Sequence, residues 1–131
     1  MTLESTIKVL IADDEIEKAQ ASIGDVSKLQ SEYKFDIDYV TTSKEAIEKA
    51  KTGNYQLIIS DLNMDKMYVG LEVLTQIKDV KAKKYLWTSM SPNSDMFDDE
   101  KNLGELVKSL DAEYIPKMMS LRRVLEKYKK E

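Results

Sequence analysis

Acidic, hydroxyl and ammonium side chains stand at four places along this chain, each directly after a short apolar run. Asp13, Asp14 and Glu15 follow the first run. Asp61 closes another and is followed by Asn63 and Asp65. Thr88 and Ser89 end a third, and Lys117 comes after the last, behind Pro116. If those runs are neighbouring parallel strands, all these groups meet on one rim, because open α/β sheets build their sites at the carboxyl ends of the strands. Three carboxylates about 4–5 Å apart repel by several kcal/mol per pair at an effective dielectric of about 20. A bound divalent cation removes that repulsion. All-oxygen donors select a hard ion, and Mg²⁺ takes one or two carboxylates while keeping waters and open positions. Asp61 is then a candidate nucleophile, since a carboxylate can form an acyl phosphate. Lys117 would bring a second positive charge to the phosphoryl oxygens. Thr88, with Ser89 beside it as the alternative, would offer a hydroxyl hydrogen bond. Phosphoryl transfer asks mainly for positioning and charge neutralisation, and this set supplies both.

The elements that must position these groups are legible in the hydropathy pattern. Strands are expected at 7–11, 35–40, 57–59, 85–87 and 113–115. The first, third and fourth are nearly unbroken apolar runs, as in strands buried on both faces; the second alternates and suits an edge. Between them run helical stripes: Ile16, Ala19, Ile23, Val26 and Leu29; Ala46, Ile47 and Ala50; Leu71, Leu74 and Ile77; Met96 or Phe97 with Leu103, Leu106, Val107 and Leu110; and Leu121, Val124, Leu125 and Tyr128. One-sided stripes pack helices onto a sheet. Ser43 is the expected cap of the second helix, and Gly53-Asn54 its end. Five β–α units in succession predict a parallel sheet covered on both faces, within one domain over residues 1–131. The segment 89–99 reads as a loop or helix start.

Composition removes several function classes. The 131 residues include no cysteine and no histidine. Disulfides, thiolate metal sites and cysteine nucleophiles are excluded for this chain, as are a Ser-His-Asp triad, a His-ligated zinc and a phosphohistidine carrier. The net charge of −4, from 20 Lys and Arg against 24 Asp and Glu, does not favour direct nucleic-acid binding. The basic residues Arg122, Arg123, Lys127, Lys129 and Lys130 read as a solvated helix face. No membrane partner and a cytoplasmic location are expected, since the first apolar run is too short for a signal segment or a span.

Four segments, in order, resemble the response-regulator receiver domains of two-component signalling. Lys8-Val9-Leu10-Ile11-Ala12-Asp13-Asp14-Glu15 resembles their first strand and acid pair. Ile58-Ile59-Ser60-Asp61-Leu62-Asn63-Met64 is similar to the phosphoacceptor segment, Leu86-Trp87-Thr88-Ser89 to the fourth strand, and Ala112-Glu113-Tyr114-Ile115-Pro116-Lys117 to the fifth. The resemblance implies a flavodoxin-like (CheY-like) doubly wound fold with strand order 2-1-3-4-5 and five helices. It implies phosphorylation of Asp61 and a Mg²⁺ site made by Asp13, Asp14, Asp61 and the Asn63 carbonyl. It makes Thr88 the switch hydroxyl, Lys117 the phosphate contact and Tyr114 the aromatic that turns inward on activation. The implied donor is a phosphohistidine on a sensor histidine kinase or phosphotransfer protein, and the implied output a downstream protein target. Such a domain is a phosphoacceptor, not an enzyme, and at most catalyses its own phosphotransfer and autodephosphorylation. No output domain is expected after Lys130-Glu131.

The chain departs from the family pattern in two loops. Asp65 stands where a proline is usual after Met64, and the loop 65–70 is one residue longer; Met118, not proline, follows Lys117. These departures leave open a receiver-like interaction module that no longer takes phosphate. Asp65 itself reads either as an extra acid near the metal or as a loop-solubilising residue. Trp87 and the methionines read as packing. A haloacid-dehalogenase-type phosphatase is disfavoured because Asn63 and Glu15 occupy the positions where its general-acid Asp would stand. A flavin-binding flavodoxin is disfavoured by the acidic first loop.

Overall fold

The structure is a computed structural model, and it describes residues 6–96 and 100–130. The apolar runs form β1 (Ile7–Ala12), β2 (Phe35–Val40), β3 (Leu57–Asp61), β4 (Lys83–Thr88) and β5 (Glu113–Pro116). They make one parallel sheet in the expected order β2-β1-β3-β4-β5. Its register levels the carboxyl ends: Ala12 pairs with Val40 and with Ser60, Asp61 with Trp87, and Thr88 with Pro116. The residues that follow these strands therefore emerge along one edge.

Strand parity divides the core in two. Leu10, Ile58 and Leu86 face α3 (Ser43–Thr52), α4 (Val69–Gln76) and α5 (Leu103–Ser109). Val9, Ile11, Leu57, Ile59, Tyr85 and Trp87 face α1 (Ile16–Ile23) and α6 (Leu121–Lys130) across the other layer. This two-sided burial is why the central strands read as continuous apolar runs.

Three local readings need correction. There are six helices among the described residues, not five, because the first stripe breaks. Gly24 takes the left-handed φ of 75°, its N–H closing α1 on the Gln20 carbonyl. The Asp25 carboxylate then accepts the Ser27 N–H at 2.9 Å and starts the short α2 (Ser27–Ser31), which keeps Leu29 buried and leaves Val26 outside. The cap of α3 is Thr42 rather than Ser43: its extended backbone aims its hydroxyl at the Glu45 N–H, 3.2 Å away, and Ser43 is already helical. The fourth stripe begins at Leu103, since Asn102 and Glu105 form a reciprocal capping box there. Met96 lies before that helix, and Phe97 lies outside the described residues.

One polar group sits awkwardly in this scaffold. Lys84 on β4 is 3% exposed, and its ammonium donates to the Lys78 carbonyl at 3.1 Å. Burial holds its pKa below the ordinary 10.5, with Asp111 and Asp79 acting the other way. A lysine whose folded pKa is depressed lowers stability at neutral pH, and this cost fades as pH rises through the folded value toward the unfolded one. Lys84→Met is expected to stabilise the fold at pH 7 by about 1 kcal/mol, or about 4 °C in melting temperature. The gap between variant and wild type should narrow as pH approaches 10.5, which thermal unfolding across a pH series will measure.

Candidate functional site

The leading edge of the sheet brings the predicted acids together. Asp13 continues the β1–β2 ladder, its N–H donating to the Val40 carbonyl at 3.0 Å, and its side chain is buried. One carboxylate oxygen of that side chain accepts the Glu15 N–H at 2.8 Å. Asp14 is exposed beside it. Asp61 is the last residue of β3 and 8% exposed. One oxygen from each of Asp13, Asp14 and Asp61 lies within 4.8 Å of the other two. Burial is the largest influence on both buried carboxyls and pushes their pKa values up. At Asp61 the Lys117 ammonium and the N–H groups of Asn63 and Leu62 pull the other way; at Asp13 the Glu15 N–H does so.

Lys117 stands opposite. Its backbone N–H donates to the Thr88 carbonyl at 2.9 Å, which prolongs the β4–β5 pairing. Its ammonium donates to Asp61 Oδ2 at 3.1 Å and lies 4.7 Å from the centre of the Trp87 ring. No cis peptide bond occurs among the described residues, so Lys117 reaches Asp61 from an ordinary trans backbone. Thr88 is buried, its hydroxyl accepting the Met90 N–H at 3.1 Å, whereas Ser89 is exposed. Tyr114 is half-buried and its hydroxyl donates to the Met90 carbonyl at 2.5 Å. The Asn63 side chain turns away to organise the loop: its Oδ1 accepts the N–H of Tyr68, which takes a left-handed φ of 61°.

Two residues that shape this edge were not singled out from the sequence for such a role. Gly70, in the first turn of α4, donates its N–H to the Leu62 carbonyl at 2.8 Å, and a Cβ there would lie 2.2 Å from the Asp61 carbonyl oxygen. Its only sequence signal is a glycine where a helix former is expected. Asp65 is neither an idle loop acid nor part of the acid cluster found among the described residues. Its carboxylate accepts the Ser43 N–H at 2.8 Å and the Ser43 hydroxyl at 3.0 Å, tying the loop after Asp61 to the start of α3. Ser43, misplaced as a cap, is thus the receiving end of a second cap that comes from another loop.

Against known families, the chain matches the response regulator receiver domain over residues 9–129. It belongs to that family. The response regulator protein TrrA of Thermotoga maritima, solved in complex with Mg²⁺-BeF, is 29% identical, with a TM-score of 0.69 over 95% of this chain and 98% of that one. A DNA-binding response regulator of the LuxR family from Staphylococcus aureus is 25% identical, with a TM-score of 0.68 over 95% and 97% of the two chains. A two-component response regulator from Clostridium difficile shares the fold at a TM-score of 0.72 and 20% identity, over 95% and 94%. No curated sequence matches the chain.

Receiver domains bind Mg²⁺ at an acidic site, and the donor set here is suited to one. Among the described residues, three carboxylates against a single contacting ammonium leave excess negative charge, two of the acids are buried, and all the donors are oxygen, which a hard divalent cation balances. Among the described residues, no helix of this receiver is long and apolar enough to cross a membrane.

Two outcomes follow for the receiver's leading edge. Gly70→Ala forces backbone apart beneath Asp61 and is expected to destabilise the fold by about 1–3 kcal/mol, read by chemical denaturation. Asp65→Ala removes a helix cap and is expected to cost about 1 kcal/mol. The Ser43 N–H holds the Asp65 carboxyl below its ordinary pKa, so its contribution is present above about pH 4 and is lost as pH falls through the folded value. Denaturation curves of the wild type and Asp65→Asn should accordingly converge in acid.

Proposed function

We propose that this receiver is a phosphorylation-gated signalling switch in which Asp61 takes a phosphoryl group from a phosphohistidine of a sensor histidine kinase or phosphotransfer protein. The observation that carries the reading is the convergence of Asp13, Asp14 and Asp61 within 4.8 Å with the Lys117 ammonium 3.1 Å from Asp61 Oδ2. In the proposed step a carboxylate oxygen of Asp61 attacks phosphorus and forms an O–P bond. The P–N bond of the donor breaks, and the bond pair leaves with the imidazole. Lys117 then faces a phosphoryl oxygen in place of the carboxylate. Asp13, Asp14, Asp61 and the Asn63 carbonyl would hold Mg²⁺, which supplies charge neutralisation for the dianionic group. The Mg²⁺-BeF complex of TrrA, at 29% identity, supports that assignment. Residues 1–131 are read as one receiver unit whose chemistry is the uptake and loss of this phosphoryl group.

Met90 links the site to the output face. Its N–H is held by Thr88 and its carbonyl by Tyr114. When Thr88 turns to donate to a phosphoryl oxygen it releases Met90, and Tyr114 loses the fixed position of its acceptor. The face made by α5, β5 and α6 then shifts between two packings that bind a downstream protein with different affinity.

Acetyl phosphate with Mg²⁺ is expected to add one phosphoryl group to the wild type, seen in the intact mass, and none to Asp61→Asn. Chelation of Mg²⁺ should abolish the reaction. If the wild type takes up neither phosphate nor beryllofluoride and matches Asp61→Asn, the chain is instead an interaction module that works without phosphorylation.

A further inference from the structure

Strand register places an aromatic ring beside the proposed phosphoacceptor. Asp61 on β3 is the direct partner of Trp87 on β4. By strand parity both side chains lie on the face of the sheet that carries Ile59, Tyr85 and α6. Trp87 is 6% exposed and packed in the cluster with Ile115, Leu121 and Leu125, so its ring cannot swing away. Two contacts leave this ring for the loop after β5. The Lys117 ammonium sits 4.7 Å from its centre while donating to Asp61 at 3.1 Å. The indole N–H donates to the Met119 carbonyl at 2.8 Å, and the Met119 N–H in turn donates to the Pro116 carbonyl at 3.0 Å. Met118 between these residues is 93% exposed, so its side chain does little to hold the loop.

We propose that Trp87 is a positioning residue for Lys117, its ring face and its indole N–H together fixing the loop that carries the ammonium to the phosphoryl site. It does the work that a proline after Lys117 would do by restricting the backbone. The mechanism is physical and local. A cation over an aromatic face is attracted by the ring quadrupole, more so where water is excluded. The long, flexible lysine therefore keeps one fixed partner whether Asp61 is free or modified. The N–H anchor keeps the loop backbone at the height from which that reach is possible. Core packing alone explains the buried ring, but it requires neither an ammonium over the face nor a hydrogen bond into the following loop.

The consequence for anion binding rests on the phosphoacceptor reading above; the contact itself does not. Trp87 is the only tryptophan, so its emission reports the ammonium directly. In the unliganded protein, Lys117→Met is expected to change the intensity or wavelength of Trp87 emission, and Lys117→Arg to preserve the wild-type spectrum. An unchanged Lys117→Met spectrum overturns the proposal, whatever the protein does with phosphate. The second arm titrates beryllofluoride, followed by fluorine NMR, and Mg²⁺ alone, followed by calorimetry. Trp87→Leu is expected to weaken beryllofluoride binding about tenfold, the size of a partly desolvated cation–π contact, with Mg²⁺ affinity unchanged. Trp87→Phe, which keeps a ring face, is expected to recover part of the loss. Wild-type beryllofluoride affinity in Trp87→Leu, or an equal loss of Mg²⁺ and beryllofluoride, overturns the proposal. A wild type that binds no beryllofluoride sinks the phosphoacceptor reading instead. In that case, or if Trp87→Leu does not fold, the emission of the Lys117 variants decides for Trp87.

Discussion

Like charges crowded at one edge of a sheet set the terms for the rest of this molecule. Asp13, Asp14 and Asp61 bring oxygens within 4.8 Å of one another, and Lys117 is the one cation found in contact with them among the described residues. Burial adds to the difficulty, because the charged forms of Asp13 and Asp61 are partly stripped of water. Such an arrangement would relax apart on a loose framework. It persists because the backbone on either side is determined by other contacts. Asp13 is still inside the β1–β2 ladder, Asp61 is the last residue of the central strand, and Gly70 lets the start of α4 close against the Asp61 carbonyl.

The framework is stiff for an ordinary reason. Strand parity sends Leu10, Ile58 and Leu86 to one apolar layer and Ile11, Ile59 and Trp87 to the other, each closed by helices. A one-residue slip of any central strand would move every side chain to the opposite layer, breaking the packing of both, and would shift the polar residues at the strand ends toward the core. The register that levels the carboxyl ends is therefore enforced by hydrophobic burial some distance below the acids. Charge is gathered at the edge by apolar contacts in the interior.

The two loops that depart from the family pattern are held by substitutes from elsewhere in the chain. Where a proline would stiffen the loop after Met64, Asp65 reaches across to the N–H and hydroxyl of Ser43. Where a proline would follow Lys117, Trp87 reaches over from β4 and donates its indole N–H to the Met119 carbonyl. In both cases conformational restriction within the loop is replaced by a hydrogen bond to another element. Such bonds can be broken and remade, whereas a proline ring cannot, which suits a region expected to rearrange.

By itself the sequence determined the class of fold and the roster of chemical groups. Strands buried on both faces must be continuous apolar runs, helices laid on a sheet must be striped, and groups following parallel strands must share an edge; each rule acts locally and leaves a local pattern. The same rules do not reach contacts between elements. The Gly24 break in the first stripe, the choice of Thr42 over Ser43 as cap, and the start of α5 at Asn102 turn on backbone angles that residue propensity alone does not assign among neighbours. Asp65 meeting Ser43, Trp87 lying under Lys117, and Met90 tied to both Thr88 and Tyr114 were decided only by the tertiary structure. These partners come from different loops and strands. What brings them together is crossover geometry and sheet register, which depend on how the whole apolar interior packs.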